Sequence, residues 1–244
     1  MLKIAFISDI HGNLQALKAV LQDIKRQGVD DITVLGDIAT LGPNPVEVIE
    51  ALYDLDATFI RGNHDDLLIK LYKKAYDMNS FSVYEWASRK LKKDHIEFLK
   101  AFKKFALQGC DFDGKIVSYH ASPWSNTKSI MDFIGTSIGK EMIDAYDCDV
   151  FVGGHHHQHF EKKHGVKHIL SVGSAGFPYK KLPFYGFPEA HPWSEYAILT
   201  LQNRSYQVNL RKIEYDLSAF HKAVTQSDSP IREWLLSVTG IDTK

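Results

Sequence analysis

Apolar and polar positions alternate in blocks along the first 62 residues. LKIAFIS (2–8) is a short unbroken apolar run of the kind that forms a buried strand. The next stretch, NLQALKAVLQDIKRQG, repeats apolar residues at helical spacing, with Leu14, Leu17, Val20, Leu21 and Ile24 on one face. Asn13 is placed to cap that helix and Gly28 to end it. ITVLG (32–36) returns to the strand type, and PVEVIEAL (45–52) opens a second helix with Asn44 as cap and Pro45 in its first turn. ATFIRG (57–62) gives a third strand. Strand, helix, strand, helix, strand predicts an α/β fold with a parallel or mostly parallel sheet.

Residues 65–108 break this rhythm. Helical stretches are predicted around 65–77, 80–92 and 94–105 with no strand between them. They are rich in aromatics: Tyr72, Tyr76, Phe81, Tyr84, Trp86, Phe98, Phe102 and Phe105. Aromatics at helical spacing usually pack, so most of these are expected in the core of an inserted helical cap. Strand signals resume at KIVSYH (115–120), DVFVGG (149–154) and KHILSVG (167–173), with a helix around 136–145. SEYAILTL (194–201) and SYQVNLRKI (205–213) alternate like an antiparallel hairpin, and 216–238 reads as helical. No repeat or linker divides the chain. The expectation is one domain, 1–244, with a helical cap at about 65–108.

Composition narrows the function classes. At 244 residues, 44% hydrophobic and 24% charged, the chain can bury a core, and a formal net charge of -1 offers no field for a polynucleotide. Two cysteines, Cys110 and Cys148, suit a reducing cytosol better than secretion. No signal-peptide pattern or membrane-length apolar run is visible, so a cytoplasmic, membrane-free setting is expected. A small phosphorylated substrate stays open, because a local metal site supplies positive charge that the total misses.

The polar residues carry the chemistry. LKIAFIS is followed by Asp9 and His11, ITVLG by Asp37, ATFIR by Gly62-Asn63-His64-Asp65, KIVSY by His120, and DVFVGG by His155-His156-His157. Ligands of α/β sheets bind at the C-terminal ends of strands, so these loops can converge. Imidazoles, carboxylates and one amide oxygen, without thiolate, suit manganese, iron, zinc, cobalt or nickel. Asp9, His11, Asp37, Asn63, His120, His155 and His157 are too many for one four-coordinate ion and enough for two ions. The two oxygens of Asp37 can bridge such a pair, and two ions roughly 3.5–4 Å apart can clamp the attacking and leaving oxygens of a phosphoryl centre.

In order and spacing, Asp9-x-His11, Gly36-Asp37, Gly62-Asn63-His64-Asp65, His120 and Gly154-His155-x-His157 resemble the signature of the calcineurin-like metallophosphoesterases. SDIHGN (8–13), GDIATLGPNP (36–45) and IEYDLSAFHKAV (213–224) resemble their small bacterial phosphoesterase branch. The resemblance implies a four-layer αββα sandwich and two divalent ions, manganese foremost, with iron, zinc, nickel, cobalt or magnesium as alternatives. One ion would take Asp9, His11, Asp37 and His157; the other, Asp37, Asn63, His120 and His155.

The implied reaction is hydrolysis of a phosphate ester by a hydroxide bridging the ions. His64 would protonate the leaving oxygen and Asp65 would orient its ring. Arg61 would contact a phosphate oxygen or form a plain salt bridge. His156 stands where the family usually has a small hydroxyl residue, and it is expected at the surface, with His159 in a solvated loop. SVGSAG (171–176) departs from the family's Asn-Pro-Gly-Ser turn at Ser171 and Val172 and is expected to support the site. Lys180, Lys181 and Trp124 are candidates to grip a base or phosphate, although a solvated loop is the plainer expectation for 177–193. The expected activity is a phosphodiesterase on small or nucleotide-like substrates, ahead of a phosphomonoesterase or a dinucleoside polyphosphate hydrolase. The non-enzymatic alternative is a scaffold on the same fold, which relatives adopt after losing the histidine that His64 retains. VGSAG lacks the first glycine of a serine-hydrolase elbow, and GTSIGK (135–140) fails the P-loop spacing.

Overall fold

The computed structural model describes residues 1–73, 82–110, 114–181, 188–203 and 205–239. The chain opens with β1 (Leu2–Ile7), α1 (Leu14–Gln27), β2 (Asp31–Val34), α2 (Pro45–Leu52) and β3 (Thr58–Phe59), close to the alternation expected. The Asn13 side chain accepts from the Ala16 amide at 3.1 Å, and Gly28 ends α1 in the left-handed region at φ 58°. Next come α3 (Asn63–Leu71), α4 (Val83–Lys90), α5 (Lys93–Lys100), β4 (Phe105–Cys110) and β5 (Gly114–Tyr119). The rest comprises α6 (Ser137–Asp144), β6 (Val150–Gly153), β7 (His159–His164), β8 (Lys167–Val172), β9 (Tyr179–Lys181), β10 (Glu189–Ala190), β11 (Ser194–Gln202), β12 (Ser205–Ile213), α7 (Leu217–Gln226) and α8 (Arg232–Thr239).

Ten of the strands form two five-stranded sheets, ordered β12-β11-β1-β2-β3 and β4-β5-β6-β8-β7, and β9 pairs with β10. β1, β2 and β3 run parallel, as do β5, β6 and β8, with antiparallel strands at the margins. Residues from both sheets, among them Phe6, Leu35, Ile116, Val152 and Leu199, share one buried cluster, so the sheets pack face to face. Ala5 and Ile7 of β1 join α1, α2, α4, α5, α7 and α8 in a second cluster, and Ile143 of α6 packs with Val117, Phe151 and Ile169 in a third. Helices therefore cover both outer faces, giving the four-layer αββα sandwich. Among the described residues no helix is long and apolar enough to cross a membrane.

Trp86 and Phe102 are buried in the first helical layer, and Tyr72, Tyr84 and Phe98 pack partly against it; Tyr76 and Phe81 lie outside the described residues. The helix expected to run to residue 105 stops at Lys100. Lys103 donates to Phe59 O at 2.9 Å and Arg61 donates to Lys103 O at 2.8 Å, which draws the chain out into β4. Phe98, Phe102 and Phe105 mimic a helical face in sequence, but Phe105 pairs with Tyr119. β7 escaped the sequence because HFEKKH is a polar edge strand, paired only to β8. The tail is two helices, broken around Pro230, which cannot continue the helical hydrogen bonding.

Candidate metal centre

Five strand ends deliver the candidate ligands, three from one sheet and two from the other: Asp9 and His11 after β1, Asp37 after β2, Asn63 after β3, His120 after β5, His155 and His157 after β6. The backbone there is strained. Asp9, His11, Asp37, His155 and His157 all have positive φ, between 48° and 71°, and they are five of the eight non-glycine residues so placed among the described residues. Glycines let the loops approach closely enough to hold that geometry. A Cβ at Gly154 would lie 1.8 Å from Ser8 Oγ, and one at Gly62 would lie 2.1 Å from Asp37 Oδ1.

The ligand atoms face inward. Asp9, His11 and His157 place one ligand atom each within 4.8 Å of one another, as do Asp9, Asp37 and His120. His120 donates Nδ1–H to Leu35 O and His157 donates Nδ1–H to Phe177 O, both at 2.7 Å. In the neutral ring that leaves each Nε2 bare and aimed into the cluster. His120 Nε2 meets Asn63 Oδ1 at 3.0 Å, and His157 Nε2 sits 3.4 Å from Asp9 Oδ1, a buried oxygen with no hydrogen-bond donor. Acceptors set against acceptors require a positive charge between them, and a divalent cation fits that need and the donor types. Of the expected ligands, His155 is the least engaged. Its amide donates to Asp9 Oδ2 at 2.9 Å, and its ring stands edge-on to His120 at 5.2 Å.

Charge follows the same crowding. Burial alone would raise both carboxyls, but His157 holds Asp9 below the usual range, and His120 and His64 hold Asp37 well below it. Burial opposes a charged His120, yet Asp37 and Asp9 push it up to about 10. Burial and the charge of His120 push His155 down to about 4. A proton on His120 and a cation are thus rival answers to one demand.

Asp65, His156 and His159 depart from expectation, and Arg61 takes its salt-bridge alternative. Asp65 does not orient His64; its carboxylate accepts from the amides of Gly62, Asp37 and Ile38 at 2.8, 2.9 and 3.1 Å, pinning the Asp37 turn. Burial and the neighbouring Asp37 push its carboxyl up to about 6. The partner of His64 is Thr40, whose Oγ1 lies 2.9 Å from His64 Nδ1 and 2.7 Å from His11 Nδ1. Arg61 turns away from the cluster: its guanidinium donates to the carbonyls of Lys100 and Phe102 and pairs with Asp66. His156 is half-buried, with Nε2 2.6 Å from Ser129 Oγ, and His159 belongs to β7, 3.7 Å from a Glu195 carboxylate.

Sequence reasoning passed over Thr40 and Tyr179 and left Tyr84 among the cap aromatics, whereas Ser174 supports the site as expected of SVGSAG. Ser174 Oγ donates to Asp9 O at 2.7 Å and fastens 171–176 to the Asp9 loop. Thr40 lies inside GDIATLGPNP, where a hydroxyl three residues after Asp37 was the available signal. Beside the Asn63 and His120 loops lies a cavity of about 450 Å³, walled by Arg61, Asp66, Lys104, Phe105, Trp124 and Asn126. Asn126 Nδ2 ties the two loops by donating to Gly62 O at 3.1 Å. Lys180 is paired with Glu189, and the side chain of Lys181 lies outside the described residues.

Comparison with known proteins agrees with this geometry. A protein of Methanocaldococcus jannaschii, itself uncharacterized, is 28% identical over 95% of both chains. The phosphodiesterase YfcE of Escherichia coli is 35% identical over 75 residues, 27% of this chain and 41% of that one. The crystal structure of a metallophosphoesterase from Sphaerobacter thermophilus superposes with a TM-score of 0.74 at 24% identity, over 98% of this chain and 99% of that one. The sequence profile of the calcineurin-like phosphoesterases matches residues 2–159, which include every candidate ligand, and the chain belongs to that family.

Proposed function

We propose that this protein is a two-metal phosphodiesterase acting on small, nucleotide-like esters. The observation that carries the metal-dependent part is the inward convergence of imidazole Nε2 atoms on carboxylate and amide oxygens, with Asp9 Oδ1 buried and unanswered. Asp9, His11, Asp37 and His157 would hold one divalent ion; Asp37, Asn63, His120 and His155 would hold the other. Such ions supply an acidified water and fixed positive charge opposite the phosphoryl oxygens.

The protein's own residues then manage the proton. With His11 Nε2 committed to a cation, its Nδ1–H donates to Thr40 Oγ1. The single hydroxyl proton of Thr40 is then free to donate to His64 Nδ1. That fixes the His64 proton on Nε2, the nitrogen on the Asp37 side of the ring, 3.9 Å from Asp37 Oδ2. His64 would give this proton to the leaving oxygen.

The diester preference rests on the cavity beside the Asn63 and His120 loops. Its volume of about 450 Å³, with aromatic walls and the side chains of Lys104 and Arg61, suits an organic group that stays on phosphorus. The match to a phosphodiesterase over part of the chain points the same way.

The test is to strip the protein of metal, reload it with manganese, and compare hydrolysis of bis-p-nitrophenyl phosphate with that of p-nitrophenyl phosphate. Metal-dependent diester turnover in excess of monoester turnover is expected. Faster monoester turnover would make it a phosphomonoesterase. Cleavage of dinucleoside polyphosphates alone would move the scissile bond to an anhydride. No turnover in protein shown to hold two ions would favour a scaffold.

A further inference from the structure

Five rings form a continuous arc along one side of the ligand cluster. Tyr84 stands edge-on to His64 with centroids 5.2 Å apart, and His64 stands edge-on to His11 at 4.8 Å. His11 stacks on His157 at 4.8 Å, and His157 stacks on Tyr179 at 4.0 Å, 16° from parallel. Tyr84 and Tyr179 stand at the two ends of this arc, each packed partly against the first helical layer. Neither phenol has a hydrogen-bond partner among the described residues. Both are half-buried, and each phenol carries an O–H donor.

The two tyrosines are held from different directions. Tyr84 sits in the first turn of α4, where Ser82 Oγ accepts from the Glu85 amide and the Glu85 carboxylate accepts from the Ser82 amide. Two turns of that helix are anchored to the α7–α8 connection, because Trp86 Nε1 and Lys90 Nζ both reach Asp228 Oδ1, at 2.9 and 2.8 Å. Tyr179 opens β9, and its amide donates to His157 O at 3.1 Å. Both rings pack partly against the first helical layer while bordering the site histidines, so the portion of each left exposed can receive a flat ligand.

Its position says which part of the ligand. The reading of His64 as the proton donor, on which this inference rests, puts the leaving oxygen on the His64 side of phosphorus. Outside the ligand set, the ring that borders His64 is Tyr84, whereas the cavity with Trp124 lies by Asn63 and His120. We propose that Tyr84 and Tyr179 form a leaving-group subsite that selects esters bearing a flat aromatic ring on the departing oxygen. Stacking supplies the preference for the ring.

Binding of non-hydrolysable probes tests this apart from turnover. Phenylphosphonate and methylphosphonate would be titrated calorimetrically into manganese-loaded protein, with metal content measured on each sample. Phenylphosphonate is expected to bind about tenfold more tightly, the scale of one aromatic stack. Tyr84→Ala should reduce that preference to about twofold or less with metal content and methylphosphonate affinity retained. Tyr84→Phe, which keeps the ring, should preserve it and confirm that the helix still folds. Trp124→Ala should also preserve it. Equal affinity for both probes in the wild type, or a preference that survives Tyr84→Ala and vanishes in Trp124→Ala, overturns the subsite while diester hydrolysis stands. Failure of both probes to bind, together with absent hydrolysis, would remove the phosphoesterase reading and the subsite with it.

Discussion

Two buried groups of carboxylates in this molecule are built on opposite principles. Asp23, on α1, meets only donors: Tyr196 Oη at 2.6 Å, Arg211 Nε at 3.1 Å, Arg211 Nη2 at 2.8 and 3.1 Å, and Arg26 Nη2 at 3.2 Å. Its partners stand on a regular helix and a regular hairpin, and none has a left-handed backbone. Asp9 and Asp37, on a backbone held at positive φ, meet histidines whose Nδ1 protons are spent on backbone carbonyls, and Asp9 Oδ1 has no hydrogen-bond donor among the described residues. A buried polar group normally has its partner in the fold. Where partners are complete, as at Asp23, the cluster joins α1 to β11 and β12. Where they are missing and the backbone is strained as well, the partner comes from outside the chain.

Removing the central carboxylate of each group should therefore produce opposite failures. Asp37→Ala should abolish binding of at least one divalent ion and reduce ester hydrolysis by about a thousandfold or more. The fold should survive it, and metal per chain by elemental analysis alongside diester turnover is the check. Full metal occupancy in that variant would break the contrast. Asp23→Ala should instead leave metal and turnover per folded molecule intact while costing about 2–3 kcal/mol of stability, since it strands the Arg211 guanidinium and the Tyr196 hydroxyl. Those hydrogen bonds hold the Asp23 carboxyl below its usual range despite burial. Its contribution is then complete above the unfolded carboxylate pKa and fades as pH falls through the depressed one. Urea midpoints of wild type and variant should be far apart at neutral pH and converge in acid.

The same contrast explains what was legible in the sequence. Every ligand follows a strand as a residue type that has no reason to sit in a core, so Asp9, His11, Asp37, Asn63, His120, His155 and His157 could be read off in order. The apolar runs of β1, β2, β5, β6 and β8 gave the sheet strands, and the capped α1 gave its own ends. What stayed hidden depends on partners distant in the chain. Thr40, Tyr84 and Tyr179 are ordinary residues until His11, His64 and His157 are placed beside them. Asp65 looked like a partner for its neighbour His64, but three amides of the Asp37 turn and its own loop claim its oxygens. The second sheet's edge strands, β4 and β7, carry polar or helix-spaced sequences because one side of each has no strand to satisfy.

Thr40 sharpens the contrast from within the site, because its hydroxyl links the ring of His11 to the ring of His64. Thr40→Val keeps the shape and removes the hydroxyl, so the proton of His64 is no longer held on Nε2. Hydrolysis of esters with poor leaving groups should fall about tenfold to a hundredfold in kcat/KM, the usual scale for a residue that orients another. Esters whose leaving group is already acidic, such as p-nitrophenol, should lose much less. An equal loss on both kinds of ester would place the effect on the His11 side of the hydroxyl, in metal binding, and metal analysis would show it.

The gentlest perturbation is pH. His120 is pushed up to about 10 by Asp37 and Asp9, so at neutral pH its Nε2 carries the proton that a cation must displace. Manganese added to metal-free protein near pH 7.5 in weak buffer should therefore release protons, and affinity should rise about tenfold per pH unit while one proton is exchanged. Removing His120 by substitution with Asn should flatten that slope even though some affinity is lost outright. Asp23 provides the reference: its ion pair is saturated throughout this range, so stability without metal should hardly change. Metal binding with no proton release would mean that the cluster meets the cation already neutral at His120, and that the two carboxylates alone set the charge it receives.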